Sequence, residues 1–407
     1  MLKKFHPLFT IPALLIAALA CANPLPVVPA QPNVETVVAA TFQALTAAAP
    51  ALATATLAPE PASLLPHSLY FLNNDNAGLV QIYRLDREGE AVSQVTFEPA
   101  RVDDYDVSLV DGSVVYVSNN QMFMVDASGA NRRKLLEGGT IDENNPFLTR
   151  LSNPVLSPDG QTIAYGYKGL NFYSTATGQS NRVLEDQINV SEGYSFPGEL
   201  YWPEKYIADG SKLIITLGYM EGASAAIYYP NGNALVRLKG GEGAMICCGN
   251  TQLTADGSAF YSASASIGMF NSGLWRVDSS TGAVTTIING DAGNGTFNFA
   301  SAPHPAPDGQ LYYFYANQPG LDEFGSSPPL QLVRSALDGV TGRTVLRPET
   351  YANINEALWA PDASFVIIAE PPIQDVYYGG IPVLVYTDAQ KGTIPLAEFA
   401  MDMKWGP

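Results

Sequence analysis

Val155-Leu156-Ser157-Pro158-Asp159-Gly160 (VLSPDG), followed at once by the apolar run Thr162–Tyr167, decides the fold. Asp-Gly between two short apolar runs makes a tight turn. The Asp side chain bonds its own backbone, and Gly takes up a conformation that other residues resist. The unit recurs at Val107–Gly112 (VSLVDG), Tyr206–Gly210 (YIADG), Gln252–Gly257 (QLTADG) and His304–Gly309 (HPAPDG), with a degenerate copy at Leu358–Ala363 (LWAPDA). The aspartates stand at 111, 159, 209, 256, 308 and 362, so the repeat is 47 to 54 residues long. Behind each turn lies an apolar strand: Ser113–Val117, Thr162–Tyr167, Lys212–Leu217, Ala259–Ser262, Gln310–Tyr315 and Phe365–Ala369. A third strand follows (Gln121–Val125, Gly273–Val277), then a small polar turn (Ala127-Ser128-Gly129, Ser280-Thr281-Gly282) and a fourth strand. Four short strands per period of this length predict one blade of a β-propeller.

The ends of the repeat region complement each other. Ser68–Leu72, Gln81–Leu85 and Ala91–Thr96 supply three strands of a blade that lacks its first. Met401–Pro407 (MDMKWGP) aligns with Glu356–Pro361 as a first strand with no blade after it. The expected fold is therefore all-β: a seven-bladed β-propeller over residues 66–407. The C-terminal strand completes the N-terminal blade, which removes the open sheet edge.

The Ser-Pro-Asp-Gly turn at 157–160, its variants and the Leu-Trp-x-Pro-Asp step at 358–362 resemble the TolB-like, or WD-like, propeller repeat family. The resemblance covers roughly residues 66–407 and implies architecture. Relatives serve as scaffolds, gating domains and enzymes, so the fold by itself licenses no activity.

Residues 1–20 read as a signal peptide: Lys3-Lys4, a mostly apolar run from Phe5 to Ala20, and the small-residue site Ala18-Leu19-Ala20. Cys21 stands where a bacterial lipoprotein carries its lipid, although Leu19 is one position later than the usual lipobox places it. Residues 21–65 read as an Ala/Thr/Pro-rich tether, with one short helix expected over Val34, Val37, Val38, Phe42 and Leu45. The expected location is outside the cytoplasmic membrane, held by lipid at Cys21; a secreted or periplasmic soluble form is the alternative. Lys plus Arg number 21 against 39 Asp plus Glu, for a net charge of −18. No basic cluster stands out, so nucleic acid is not an expected partner.

No G-x-S-x-G elbow and no H-E-x-x-H motif occurs, and only His67 and His304 lie beyond the signal peptide. The expected function is therefore recognition or scaffolding by a monomeric, non-catalytic propeller that binds an extracytoplasmic protein, peptide or glycan. The alternative is an enzyme at the channel mouth, a lyase or a glycoside or ester hydrolase, using Glu199, Glu356 or Asp402. In this repeat the Asp-Gly and Ser/Thr-Gly turns share one face and are short. The opposite face carries long connections, among them Gln187–Glu199, Gly290–Ser301 and Glu370–Gly380. Tyr194, Phe297 and Tyr351 in such connections are the expected binding anchors.

Aligned positions at the start of the first strands read Tyr105, Asn153, Asn250, Ala302, Glu356 and Asp402, with Glu199 taking the place in blade four. Such groups around a channel mouth could bind a cation, a sugar or a peptide amine. Oxygen donors would suit calcium, but no metal site and no cofactor are assigned. Asn74-Asp75-Asn76-Ala77-Gly78 reads as a turn. Cys247 and Cys248 are neighbours that an oxidising compartment would join in a disulfide ring.

Overall fold

A computed structural model describes residues 63–249, 251–320, 327–373 and 376–407. The signal peptide, Cys21 and the expected tether helix lie outside the described residues, as does Asn250. Seven antiparallel sheets form seven blades of a β-propeller. Blade one pairs Met401–Trp405 with Leu69–Asn74, followed outward by Val80–Leu85 and Val92–Gln94. The register Leu69↔Trp405, Tyr70↔Lys404 and Leu72↔Met401 places the C-terminal strand innermost, as the sequence predicts.

The second strand of each blade is mostly apolar, as in Val114–Ser118, Leu213–Tyr219 and Phe365–Glu370. Successive side chains of a strand point to opposite faces. In a propeller both faces meet a neighbouring blade, so both must be apolar. Val114 and Tyr116 pack towards blade one, whereas Val115 and Val117 pack towards blade three. Phe365, Ile367 and Ala369 face blade one, and Val366 and Ile368 face blade six. The core is thus seven clusters, one in each gap between blades, and the cluster between blades seven and one closes the ring. Leu64 and Leu65, assigned by sequence to the end of the tether, pack in that closing cluster, so the folded unit starts slightly earlier than residue 66.

Two blades depart from four strands. In blade four the innermost strand runs from Tyr194 to Tyr206 and folds back on Gln187–Ser191. In blade six Thr296–Pro305 folds back on Asp291–Gly293, and the next strand, Gln310–Pro319, is prolonged beside it. Two connections expected to be loops are therefore β-hairpins. Their tips are two-residue turns, Glu192-Gly193 and Asn294-Gly295, with φ of +52° and +84°, and +57° and +74°. Positive φ at both central residues is what a type I′ turn requires, and its twist matches that of the flanking strands. Between these blades, the first strand of blade five is only Gln252–Leu253.

Candidate functional site

The innermost strands ring the central channel, and among the described residues no innermost strand pairs with another. Their backbone polar groups need other partners, and side chains from adjacent blades supply them. Asp104 Oδ2 accepts the Asn153 N–H at 2.6 Å, and Asp106 Oδ2 accepts the Leu156 N–H at 2.7 Å, tying blade two to blade three. Glu356 accepts the N–H groups of Asp402 (2.9 Å) and Met403 (3.2 Å), tying seven to one. Lys404 Nζ donates to Tyr105 O at 2.6 Å and to Asp402 Oδ2 at 2.8 Å. Lys205 Nζ donates to Thr251 O at 2.6 Å, tying four to five. In the reverse direction, Tyr105 Oη donates to Asp402 O, Trp359 Nε1 to Ala302 O and Trp405 Nε1 to Trp359 O.

Two elements of local geometry make this ring. The innermost strands carry bulges, and Asn153, Ala302 and Asp402 sit at them with φ near +50°. The strand alternation then sends Asp104 and Asp106 one way and Tyr105 the other. Burial pushes the Asp104 carboxyl up to about 7; Lys404 and two backbone N–H groups oppose that shift and Asp402 reinforces it. Burial also raises Asp106 and Glu356. For Lys404 burial works against the ammonium, but Asp402, Asp106 and Asp104 prevail and its pKa stands above the usual range. Lys205 is lowered by burial.

The sequence-assigned residues divide accordingly. Glu356, Asp402, Asn153 and Tyr105 do come together, but largely as partners of one another and of the backbone. Tyr105 is fully buried, with its ring under Lys404 Nζ at 4.3 Å. Glu199 does not join them. It is 6% exposed, paired with the Arg237 guanidinium (Nη2–Oε1 2.7 Å) and bonded by Tyr201 and Tyr219. Burial alone would raise its pKa, but Arg237 and Tyr201 hold it below the usual range. Tyr351, expected as a surface anchor, is only 6% exposed and packs edge-on against Phe314 at 5.3 Å in the gap between blades six and seven. It closes its strand on the side facing Leu330, where apolar cover was available. Phe297 is half-buried against the same cluster. Tyr194 alone of the three anchors is open, at 77% exposure. His304 stacks on Trp359 (centroids 5.3 Å apart, 11° between planes), and burial takes its pKa down to about 4. Among the described residues no group of three or more His, Cys, Asp or Glu is placed to hold a metal ion. Asp75 Oδ1 caps the N–H groups of Ala77 and Leu79, which makes Asn74–Gly78 a turn.

Sequence reasoning missed Asp104, Asp106, Lys205 and Lys404. The signal for Asp104, Asp106 and Lys404 was the alternation within Val102–Val107 and Met401–Trp405, with residues two apart sharing a face. The face with long connections gathers Tyr194 and Val190 on the blade-four hairpin, Met220 in the next turn, Met269 in blade five, and Tyr377 and Tyr378 in blade seven, all exposed. Cys247 and Cys248 are carried as a disulfide between neighbours. Cys247 is buried and Cys248 exposed, and the Cys248 N–H donates to the Glu204 carboxylate at 2.5 Å. Cavities of about 380 and 550 Å³ share Thr350, Tyr351 and Glu370 and lie between the outer parts of blades six and seven.

No sequence family and no curated protein matches the chain. Solved structures do. A puromycin-hydrolysing peptidase of Mycobacterium tuberculosis is 13% identical over 83% of this chain and 52% of its own, with a TM-score of 0.53. A prolyl endopeptidase is 14% identical over 84% of this chain and 51% of its own, with a TM-score of 0.51. This chain thus spans about half the length of those peptidases. TolB of Acinetobacter baumannii is 13% identical over 83% and 81% of the two chains, with a TM-score of 0.40. At these identities the likeness to the two peptidase structures is one of fold alone.

Proposed function

We propose that the chain is a recognition propeller that binds an extracytoplasmic protein partner through the face carrying the two raised hairpins. The observation that carries this reading is the division of labour among its side chains. The channel carboxylates that would serve an enzyme are engaged in joining blades, whereas Tyr194, Met220, Met269, Tyr377 and Tyr378, each more exposed than any large apolar group on the Asp-Gly turn face, stand together on the other. Exposed apolar groups gathered on a rigid scaffold mark contact surfaces. The export signal and Cys21 support a position outside the cytoplasmic membrane, with lipid at Cys21 as the anchor. Among the described residues no helix is long and apolar enough to cross a membrane.

A photo-reactive residue at Tyr194 or Tyr378 should cross-link to one protein in the native envelope. The same residue at Val110 or Val340, on the Asp-Gly turn face, should not. Cross-links from Val110 alone would refute the assignment of the face. Intact mass of membrane-extracted protein should show a chain beginning at a lipid-modified Cys21; an unmodified mature chain would remove the anchor.

A further inference from the structure

The geometry points to a strand-addition site on the blade-four hairpin: the edge Gln187–Ser191 pairs with an extended, cationic segment of another polypeptide. This rests on the proposed recognition face and deepens it. Gln187–Ser191 is the terminal strand of its sheet, with only Tyr194–Tyr206 beside it. In a hairpin with a two-residue turn, the pair flanking the turn is hydrogen-bonded and the pairs then alternate. Ser191↔Tyr194 and Asn189↔Phe196 are therefore the bonded pairs. Val190 and Ile188 turn their N–H and C=O groups to the open side. The proline opposite Ile188, Pro197, fits this register, because that position has no hydrogen bond to give.

An open edge is a template for pairing, and proteins commonly guard theirs with lysine, proline or a mid-strand bulge. Gln187-Ile188-Asn189-Val190-Ser191 contains no charge and no proline, and its one irregularity lies at the base, between Gln187 and Ile188. Val190, opposite Ser195, is 71% exposed, so its side chain is free to a partner. Strand addition draws affinity from main-chain bonds and specificity from alternate side chains. Charge selects the occupant. Glu192 sits in the turn, Glu221 and Glu242 are exposed in adjacent connections, and Arg182, the cation on the preceding strand, is held by Glu185 at 3.3 Å. With a net charge of −18 the chain repels an acidic segment and a second copy of itself alike.

The test uses the full-length protein and a fluorescent peptide of alternating valine and lysine. Binding followed by anisotropy should weaken about tenfold or more in Val190→Pro, which deletes one outward N–H and leaves the hairpin's own bonds intact. Val190→Thr keeps the N–H and should keep binding. In the wild-type protein the peptide should slow amide exchange at Ile188 and Val190 and leave Asn189 and Ser191 unchanged, a readout that needs no variant. Equal binding to Val190→Pro, or no slowing at Ile188 and Val190, overturns the site. An alternating valine–glutamate peptide that binds equally overturns the cationic assignment. Dimerisation that Val190→Pro abolishes gives the edge to a second copy and likewise overturns the proposal. If the site fails while Tyr378 still cross-links to its partner, the recognition face stands without it.

Discussion

Asp104 is the residue whose chemistry is most at odds with its surroundings. Its carboxylate is needed to hold the Asn153 N–H, but burial favours its neutral form and sets its pKa at about 7. The folded state therefore binds a proton more tightly than the unfolded chain, and acidification through that range stabilises the fold. From about pH 8 to about pH 6.5 the melting temperature should rise in the wild type. Asp104→Asn keeps an acceptor for Asn153 and should flatten that rise, with higher stability than wild type at the alkaline end. Below about pH 6.5 His304 acts the other way, because its buried imidazole resists a proton that the unfolded chain takes. A wild-type melting temperature that falls steadily on acidification from pH 8 would contradict the assignment to Asp104. Ala363 is a second misfit. It stands where the other turns have glycine, buried, with φ of +58°. A left-handed L-residue costs about 1–2 kcal/mol, and the extra freedom of glycine in the unfolded chain returns about 0.4–1 of it. Ala363→Gly should therefore raise stability by up to about 1 kcal/mol, read from the denaturant midpoint. A lowered midpoint would mean that the buried methyl outweighs the strain.

The hairpins show what reading by element could and could not reach. Asn294-Gly295 between Gly293 and Thr296 is a strong local signal for a tight hairpin, yet in a scan for long connections it passes as loop. Glu192-Gly193 gives a weaker version of that signal, because glutamate disfavours the left-handed region that asparagine tolerates. Tyr351 was misassigned for a related reason: a residue at the end of an outer strand reads as exposed until the neighbouring blade is in place. Glu192→Asn would give the blade-four hairpin the preferred turn pair. Residues 187–196 take no part in the seven clusters, so the gain should stay local. Amide exchange at Asn189 and Ser191 should slow severalfold while the melting temperature of the whole protein hardly moves. A shift of several degrees would show that the hairpin belongs to the global cooperative unit.

At the scale of the molecule, seven blades were legible because a repeat imposes the same turn at the same interval. Closure was legible because one end lacked the strand that the other end had spare. The ties between blades were not, because they join residues 46 to 299 positions apart and depend on bulges that no periodicity reveals. Those ties concentrate at the closure. Met401–Trp405 pairs with Leu69–Asn74, Met403 and Trp405 pack against the cluster of blades seven and one, and Glu356, Tyr105 and Trp359 each lose a partner without this strand. Removing residues 400–407 should therefore do more than subtract one strand. It leaves Leu69–Asn74 as an apolar open edge and takes two backbone N–H donors from the half-buried Glu356 carboxylate, each a route to destabilisation. The truncated protein should melt many degrees lower and aggregate, as seen by light scattering on heating. A synthetic peptide of residues 399–407, added in excess, should restore a monodisperse, more stable protein, because the missing strand can pair from outside the chain. A scrambled peptide should not. A truncation that stays monomeric with an unchanged melting temperature would mean that the seven gaps hold the ring without the closing strand, and that its pairing adds little to the fold.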